Sequence, residues 1–365
     1  MYVDDILAVS ASATEVLESL KGGTVRYKND HIGSPDMYLG GKLQEKTLDG
    51  QKCWTITSVD YVNAAVQTIE EALKSKPYKL PTKVTTPMSM GFLPELDDSP
   101  ELDAADTQFY QEMMGMLRWA TELGKVDILM ELSLLSQYQA SPRQRHLEEA
   151  LHIFAYLKKK PKTTLYMNPE PPNIDYTAFT TNREEFKEYY RDAVEQLPHR
   201  MPAPRGNAVV TTAYCDSSYA ANKKTRKSHT GYVIFVNRAP IIWKSRRQNT
   251  VELSAFSSEF VALKECVEDI EHIRFKLRMF GIPISQDHPA THIFCDNESM
   301  VKNTTKVDSM LNKKHLEVAY HLVWWNVAAG VCTIAWIDTN NNLADAFTKR
   351  LTAAVRDFLF GEWTY

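Results

Sequence analysis

The sequence is poor in the features that mark secreted and membrane-embedded proteins. Its five cysteines, at positions 53, 215, 266, 295 and 332, include no C-x-x-C pair, and scattered cysteines of this kind favour a reducing compartment. No apolar run approaches the roughly 18 residues of a membrane span, and the N-terminus lacks the charged-then-apolar order of a signal peptide. We therefore expect neither membrane insertion nor secretion.

The sequence also lacks a strong excess of either charge, because its formal net charge is −4. This balance argues against a protein that coats nucleic acid without selectivity. The basic residues are nevertheless concentrated in one strip, residues 221–247, which contains no acid. The strip holds Lys223, Lys224, Arg226, Lys227, Arg238, Lys244, Arg246 and Arg247. It suits phosphate contacts, and a solvated hairpin explains it equally well.

Periodicity and proline positions divide the chain into segments. Residues 61–74 place apolar side chains on one helix face, and prolines at 77, 81 and 87 then interrupt regular structure. Helical patterns return from position 107, and residues 168–206 contain six prolines around a charged stretch at 184–196 with helical character. We interpret 168–206 as an interdomain linker with a helical insertion.

After the linker, strand-like and helix-like segments alternate. From position 207 the predicted order is three strands, a helix, a strand, two helices, a strand and a final helix. This alternation indicates a mixed sheet flanked by helices, and the chain as a whole is assigned to the α/β class. Residues 207–350 would form this second domain, and residues 351–365 a C-terminal tail.

Four acidic residues of the C-terminal half lie far apart in the sequence: Asp216, Glu259, Asp296 and Asp345. Any one of them alone is most simply a solvated surface group. Asp216 and Asp296 differ, since each ends a mainly apolar, strand-like run in which an unpaired charge would be costly. Only tertiary folding could bring the four together, and carboxylates gathered in this way usually hold a divalent cation.

The chain begins with Met-Tyr-Val-Asp-Asp, a pattern typical of a hairpin whose tight turn carries Asp4 and Asp5. This box, followed by the four acids, resembles the Pol polyprotein of copia-type LTR retrotransposons, in which a reverse transcriptase is followed directly by its RNase H domain. The segments YQEMMGMLRW (110–119), KSHTGY (227–232), PIIWKSRRQNT (240–250) and LADAFTK (343–349) also match. The resemblance thus covers nearly the whole chain.

On this resemblance, residues 1–90 are a truncated reverse-transcriptase palm, residues 107–167 a helical thumb or connection region, and residues 207–350 an RNase H-like domain. A polymerase site needs a further carboxylate from a palm strand upstream of the hairpin, and the sequence as given supplies none. Asp4 and Asp5 are therefore expected to be vestigial, and the polymerase half inactive as given.

The resemblance further implies a nuclease that cleaves the RNA strand of an RNA/DNA hybrid with two Mg²⁺ ions, Mn²⁺ being an alternative. Asp216 would bridge the two ions, Glu259 and Asp296 would complete the first set of ligands, and Asp345 would hold the second ion. The location implied is the cytoplasmic retrotransposon particle, with the nucleus as an alternative.

Several other residues are candidates for contacts with nucleic acid. Asn297 could donate to the RNA 2′-hydroxyl or instead cap a helix. His315 and His321 are candidates for product release or proton transfer, with ordinary helix-surface or core positions as the alternative. The predicted phosphate contacts are Lys223, Lys224, Arg226, Lys227, Arg246 and Arg247.

Two other functions stay open on the sequence alone. A non-catalytic transposon remnant would at most bind nucleic acid, and a piece of a longer polyprotein would polymerise DNA in its full context. The complete set of four acids favours the nuclease, whereas the missing polymerase residues favour a remnant.

Overall fold

The computed structural model describes residues 7, 12–22, 32–48, 50–307, 317–361 and 363–364. These residues form ten α-helices and two β-sheets, which confirms the predicted α/β class. The helices are α1 (Ala13–Gly22), α2 (Val59–Leu73), α3 (Ala104–Glu122), α4 (Leu129–Leu135), α5 (Gln144–Lys159), α6 (Arg183–Tyr189), α7 (Ala255–Met279), α8 (Glu298–Thr305), α9 (Glu317–Ala329) and α10 (Ala353–Gly361). The strands are β1 (Met37–Tyr38), β2 (Gly41–Leu48), β3 (Gln51–Thr57), β4 (Thr164–Met167), β5 (Thr211–Ser218), β6 (His229–Val236), β7 (Ala239–Arg247), β8 (Thr291–Cys295) and β9 (Cys332–Trp336).

The N-terminal sheet has the strand order β1-β2-β3-β4, and each neighbouring pair is antiparallel. In β3 the side chains of Cys53, Thr55 and Thr57 are buried while their neighbours are more exposed, the period of two that a strand with one covered face requires. The pairing of β4 with β3 brings the end of the predicted helical segment 107–167 into this sheet. Pro161 lies just beyond α5, and the strand-forming sequence Thr-Thr-Leu-Tyr follows one residue later, at 163–166.

Helices α2, α3 and α5 form the apolar core of the N-terminal half. Their apolar side chains recur every three or four positions, so each helix buries one face against the others. The residues at the centre of this core, all fully buried, are Val62, Ile69, Tyr110, Met113, Leu117, Leu147, Ile153 and Phe154. Asp103 fixes the start of α3, because its side chain accepts a hydrogen bond of 2.8 Å from the backbone N–H of Asp106.

The C-terminal sheet has the order β7-β6-β5-β8-β9. Strands β5, β6 and β7 are antiparallel, whereas β5, β8 and β9 run parallel. Helix α7 covers one face, where Phe260, Leu263 and Val267 pack against Ala213 and Ile293. The order of elements is the one predicted from position 207, and the mixed sheet flanked by helices is confirmed.

The segment 168–206 packs on the C-terminal half instead of standing apart from it. Phe186 of α6 is fully buried, and its ring centroid lies 5.0 Å from that of Trp324. The predicted helix at 184–196 ends earlier, at Tyr189. The residues that follow run along α7, where Glu195 accepts hydrogen bonds from Arg274 and Arg278.

The C-terminal residues join the two halves of the molecule. Phe360 and Trp363 pack with Phe347 against the face of the C-terminal sheet opposite α7. Arg356 of α10, the helix that also carries Phe360, pairs with the buried Glu131 of α4. Among the described residues, none of the helices combines the length and the apolar character needed to span a bilayer.

Candidate metal centre

The pairing of β5 with β8 brings two of the predicted acids to one edge of the sheet. Cys215 lies opposite Cys295 in this parallel pair, so the next residue along each strand direction, Asp216 and Asp296, occupies the same level. Parallel strands place their carboxyl ends at one edge, where α/β proteins commonly carry their sites. Asp216 is 1% exposed, and Asp296 is half-buried.

The third acid comes from α7. Ser254 caps this helix by accepting a hydrogen bond of 3.2 Å from the N–H of Ser257, which fixes the register of its first two turns. Glu259 then lies in the second turn, on the face that packs against β5. Carboxylate oxygens of Asp216, Glu259 and Asp296 lie within 4.8 Å of one another. The fold thus brings together three of the four predicted acids, which are remote in sequence.

The electrostatics of this group are those of carboxylates that need a cation. Burial, followed by repulsion from Asp216 and Asp296, raises the pKa of Glu259 well above its ordinary value. Burial likewise raises the pKa of Asp216, against the opposing effect of the Lys349 ammonium. Glu259 Oε2 is buried and has no hydrogen-bond partner among the described residues. An all-oxygen set with one unpartnered buried oxygen fits a hard cation such as Mg²⁺.

The fourth acid, Asp345, lies beside this group and is held by a lysine. Lys349 Nζ lies 2.6 Å from Asp345 Oδ1 and 3.6 Å from Asp216 Oδ2. Burial, followed by the charge of Asp216, raises the pKa of Asp345 to about 7. Asp345 is therefore adjacent to the three converging acids without being one of them.

The segment that carries Asp345 is anchored at both ends. The buried Asn342 donates to the carbonyl oxygen of Cys215 at 3.1 Å and accepts from the N–H of Ala344, which starts a short 3₁₀ helix. At the other end, the Thr348 hydroxyl donates to Asp216 Oδ2. Sequence reasoning missed Asn342, Thr348 and Lys349. The i,i+4 spacing of Asp345 and Lys349 was the available signal.

Gly231 allows the anchored segment to approach the sheet. It pairs with Asp216 across β5 and β6. A Cβ atom at this position would lie 2.6 Å from Thr348 Cγ2 and 2.8 Å from Phe347 Cβ. No real side chain tolerates such contacts without movement of its neighbours, so glycine is required by space and not by backbone conformation.

The other residues that the sequence suggested for the site differ in their surroundings. Asp296 Oδ2 accepts a hydrogen bond of 2.9 Å from the Thr339 hydroxyl. Asn297 caps α8 by accepting from the N–H of Met300, so the structure gives it the capping role. His321 hydrogen-bonds through Nδ1 with the hydroxyl of Tyr190. Asp4, Asp5 and His315 lie outside the described residues.

The predicted basic strip is divided by its ion pairs. Lys244 Nζ lies 2.7 Å from Asp269, and Arg246 donates two hydrogen bonds to Glu265 of α7. Both charges are therefore balanced within the protein. Lys224 and Arg226 are exposed on the loop between β5 and β6.

Three other cations of the strip share a cavity of about 330 Å³ between the helical region and the C-terminal sheet. Lys223, Lys227 and Arg247 line it together with Lys349 and Arg350, and Lys349 also contacts Asp345 and Asp216, so the cavity lies next to the carboxylate site. Glu95 is the acidic residue among those that line the cavity. The carboxylate of Glu95 accepts a hydrogen bond of 2.9 Å from the backbone N–H of Lys223. The cavity consequently presents mainly positive charge beside the acids.

Comparisons with known proteins agree with the sequence motifs. The chain is 22% identical over 357 residues to the retrovirus-related Pol polyprotein from transposon RE2 of Arabidopsis thaliana, which covers 96% of the chain and 20% of that polyprotein. The polyprotein from transposon RE1 of the same plant is 23% identical over 74% of the chain and 16% of its own length. The putative transposon Ty5-1 protein of Saccharomyces cerevisiae is 25% identical, with 74% of the chain and 72% of that protein covered.

These matches confirm the resemblance to copia-type Pol polyproteins over most of the chain. The chain spans only about a fifth of the length of the two plant polyproteins. No family model matches it.

Solved structures also include similar domains. An N-terminal RNase H domain from Mycobacterium tuberculosis covers 42% of the chain at 13% identity and a TM-score of 0.28. RNase H1 from Halobacterium salinarum covers 39% at 16% identity, also with a TM-score of 0.28. TM-scores this low carry no argument about the fold, and the description of the C-terminal sheet rests on its own strand order and register.

Proposed function

We propose that this chain is the C-terminal part of a retrotransposon reverse transcriptase with its RNase H domain, and that it cleaves the RNA strand of RNA/DNA hybrids. The observation that carries the proposal is the convergence of Asp216, Glu259 and Asp296, whose oxygens lie within 4.8 Å of one another. The buried Glu259 Oε2, which has no hydrogen-bond partner among the described residues, supports a cation ligand at this point.

The three carboxylates would hold Mg²⁺, or Mn²⁺ as the alternative, because both are oxygen-seeking ions. Bound there, the ion would lower the pKa of the attacking water and stabilise the negative charge on the leaving 3′ oxygen. We assign the central position to Asp216, since it is the most buried acid of the site and also lies 3.6 Å from Lys349 Nζ, which contacts Asp345. The Thr348 hydroxyl orients its carboxylate by donating to Oδ2.

The substrate side of the proposal rests on the basic cavity. Lys223, Lys227 and Arg247 line a space that adjoins the carboxylates through Lys349. Backbone phosphates of a nucleic acid are the anions that such a row of cations would hold while the scissile bond lies over the acids. We assign this role to Arg247 ahead of Arg246, whose charge is already paired with Glu265.

The wider organisation is proposed on the same relatives. Residues 1–90 would be part of a palm, 107–167 a thumb or connection region, 168–206 a linker, 207–350 the RNase H domain and 351–365 its C-terminal tail. Asp4 and Asp5 would be vestigial polymerase acids in the chain as given, and in the alternative of a longer polyprotein they would act in that full context. The activity would take place in the cytoplasmic particle of the element.

The test is cleavage of a labelled RNA/DNA hybrid by the purified chain, with Mg²⁺ and with EDTA. We expect RNA cleavage that requires Mg²⁺ and is lost in Asp216→Asn and Glu259→Gln. Asp357→Asn is the matched control, because this exposed acid of α10 pairs with Lys160 away from the site, and it should cleave like the wild type.

Single-stranded RNA and duplex DNA of the same sequence serve as substrate controls and should stay intact. A folded wild-type chain that binds the hybrid and cleaves nothing at any Mg²⁺ concentration would favour the non-catalytic remnant. Equal cleavage by wild type and Asp216→Asn would remove these acids from the reaction.

A further inference from the structure

The carboxylate site contains a cation of its own, the ammonium group of Lys349. We propose that this ammonium occupies the second cation position of the site, so that one divalent ion binds readily and a second binds only by displacing Lys349. The inference rests on the proposed function, since it concerns the same carboxylates.

The position of the ammonium carries the argument. Its nitrogen lies 2.6 Å from Asp345 Oδ1 and 3.6 Å from Asp216 Oδ2, and thus between the fourth acid and the central one. Asp216 also belongs to the close group of three acids, with Glu259 and Asp296, whereas Asp345 does not. The four carboxylates are therefore divided into a group of three with an unpartnered oxygen and a fourth whose charge is met by an amine.

The anchoring of residues 342–349 fixes the position of Lys349 between Asp345 and Asp216. Asn342 bonds to the carbonyl oxygen of Cys215, and the Thr348 hydroxyl bonds to Asp216. The backbone between them packs on Gly231 so closely that not even a methyl group would fit. The root of the Lys349 side chain is consequently fixed next to Asp216, and its four-carbon stem needs to reach only one turn back to Asp345.

Charge then sets the order in which cations bind. A divalent ion between Asp345 and Asp216 would lie within a few ångströms of a unit positive charge, and the two cations would repel each other strongly in a partly buried site. The second ion must therefore move the ammonium into solvent. Lys349 is about a third exposed at its side chain, so it has room to leave. The amine acts as an occupant that a high concentration of divalent ion can replace.

The experiment counts bound ions and does not depend on cleavage. Isothermal titration with Mn²⁺, together with electron paramagnetic resonance of free Mn²⁺, is carried out on the wild-type chain and on Lys349→Met. The methionine keeps the stem and removes the charge. We expect about one strongly bound ion in the wild type, and in Lys349→Met a second ion whose affinity rises at least about tenfold.

Two further variants control the result. Lys302→Met also removes one positive charge, from an exposed pair with Glu298, and should bind Mn²⁺ like the wild type. Lys349→Arg keeps the charge and should retain the single strong site. If Lys349→Met does not fold, Lys349→Gln provides a second neutral variant with the same expected gain.

The outcomes separate the inference from the proposed function. Superimposable titrations of the wild type and a folded neutral Lys349 variant would overturn the inference and leave the metal centre standing. Two equally strong ions in the wild type would do the same. No Mn²⁺ binding by the folded wild type at millimolar concentrations would instead overturn the metal centre, and the inference with it.

Discussion

Gly231 offers a sharp test of how the site is assembled, through the substitution Gly231→Ala. The added Cβ would lie 2.6 Å from Thr348 Cγ2, 2.8 Å from Phe347 Cβ and 3.0 Å from the Phe347 carbonyl carbon. The first atom belongs to a short branched side chain and the last to the backbone, so none of the three is the end of a flexible chain. Relief requires the segment that carries Asp345 and Lys349 to move away from β6.

The magnitude follows from these contacts. Inserting a methyl group into a well-packed site typically costs 1–3 kcal/mol, and three contacts at or below 3.0 Å place this case at about 3 kcal/mol or somewhat above. Movement of Thr348 also lengthens its hydrogen bond to Asp216, so we expect Mn²⁺ affinity to fall by about tenfold along with stability.

Urea unfolding followed by circular dichroism measures the first effect, and Mn²⁺ titration of the folded protein the second. Gly115→Ala is the matched control. Gly115 lies in the middle of α3 with nothing within 4 Å of its added Cβ, and alanine there should stabilise the chain by about 0.5–1 kcal/mol. A Gly231→Ala protein as stable as the wild type would refute the close packing described for residues 342–349.

Three further predictions concern the rest of the molecule. Arg356→Met should lower the free energy of unfolding by about 3–5 kcal/mol in urea, because it leaves Glu131 buried without its cation, and Glu131→Gln in the same chain should restore much of the loss. Arg247→Ala should weaken hybrid binding and reduce the salt dependence by about one unit of slope, whereas Arg246→Ala should change the slope less, as filter binding at several salt concentrations can decide. Burial lowers the pKa of His229 to about 3 from an ordinary value of 6.5, so protonation favours the unfolded chain and stability should fall as the pH drops from 6.5 towards 3. His229→Gln should remove that part of the pH dependence in unfolding experiments, and an unchanged profile would count against a buried neutral imidazole.

The sequence pattern places two of the acids at the ends of predicted strands, whereas the expectation that the four acids meet comes from the resemblance to an RNase H domain. Asp216 and Asp296 close apolar strand-forming runs, and strands that pair in parallel end at one edge. The sequence pattern predicts Glu259 in the first turn of a long amphipathic helix, and the structure places it in the second turn of α7, after the capping Ser254. The mixed sheet followed from the alternation of strands and helices along the chain.

Long-range contacts could not be predicted in the same way. The pairing of Arg246 with Glu265 and the placement of β4 beside β3 depend on which elements meet in space. The contact of Lys349 with Asp216 depends further on two anchors, Asn342 and Thr348, that reach a strand remote in sequence. A charge pattern shows that such residues can bind ions or phosphates, but their partners are chosen only when the fold is complete.

The central claim, a divalent-ion centre made by three acids that are remote in sequence, is tested most directly by anomalous X-ray scattering from crystals grown with Mn²⁺. We predict a strong anomalous peak bounded by oxygens of Asp216, Glu259 and Asp296, at the roughly 2.0–2.3 Å of a hard cation bound by carboxylates. The same peak should be missing from crystals of Asp216→Asn prepared in the same way. A wild-type crystal with ordered carboxylates and no peak among them would contradict the account.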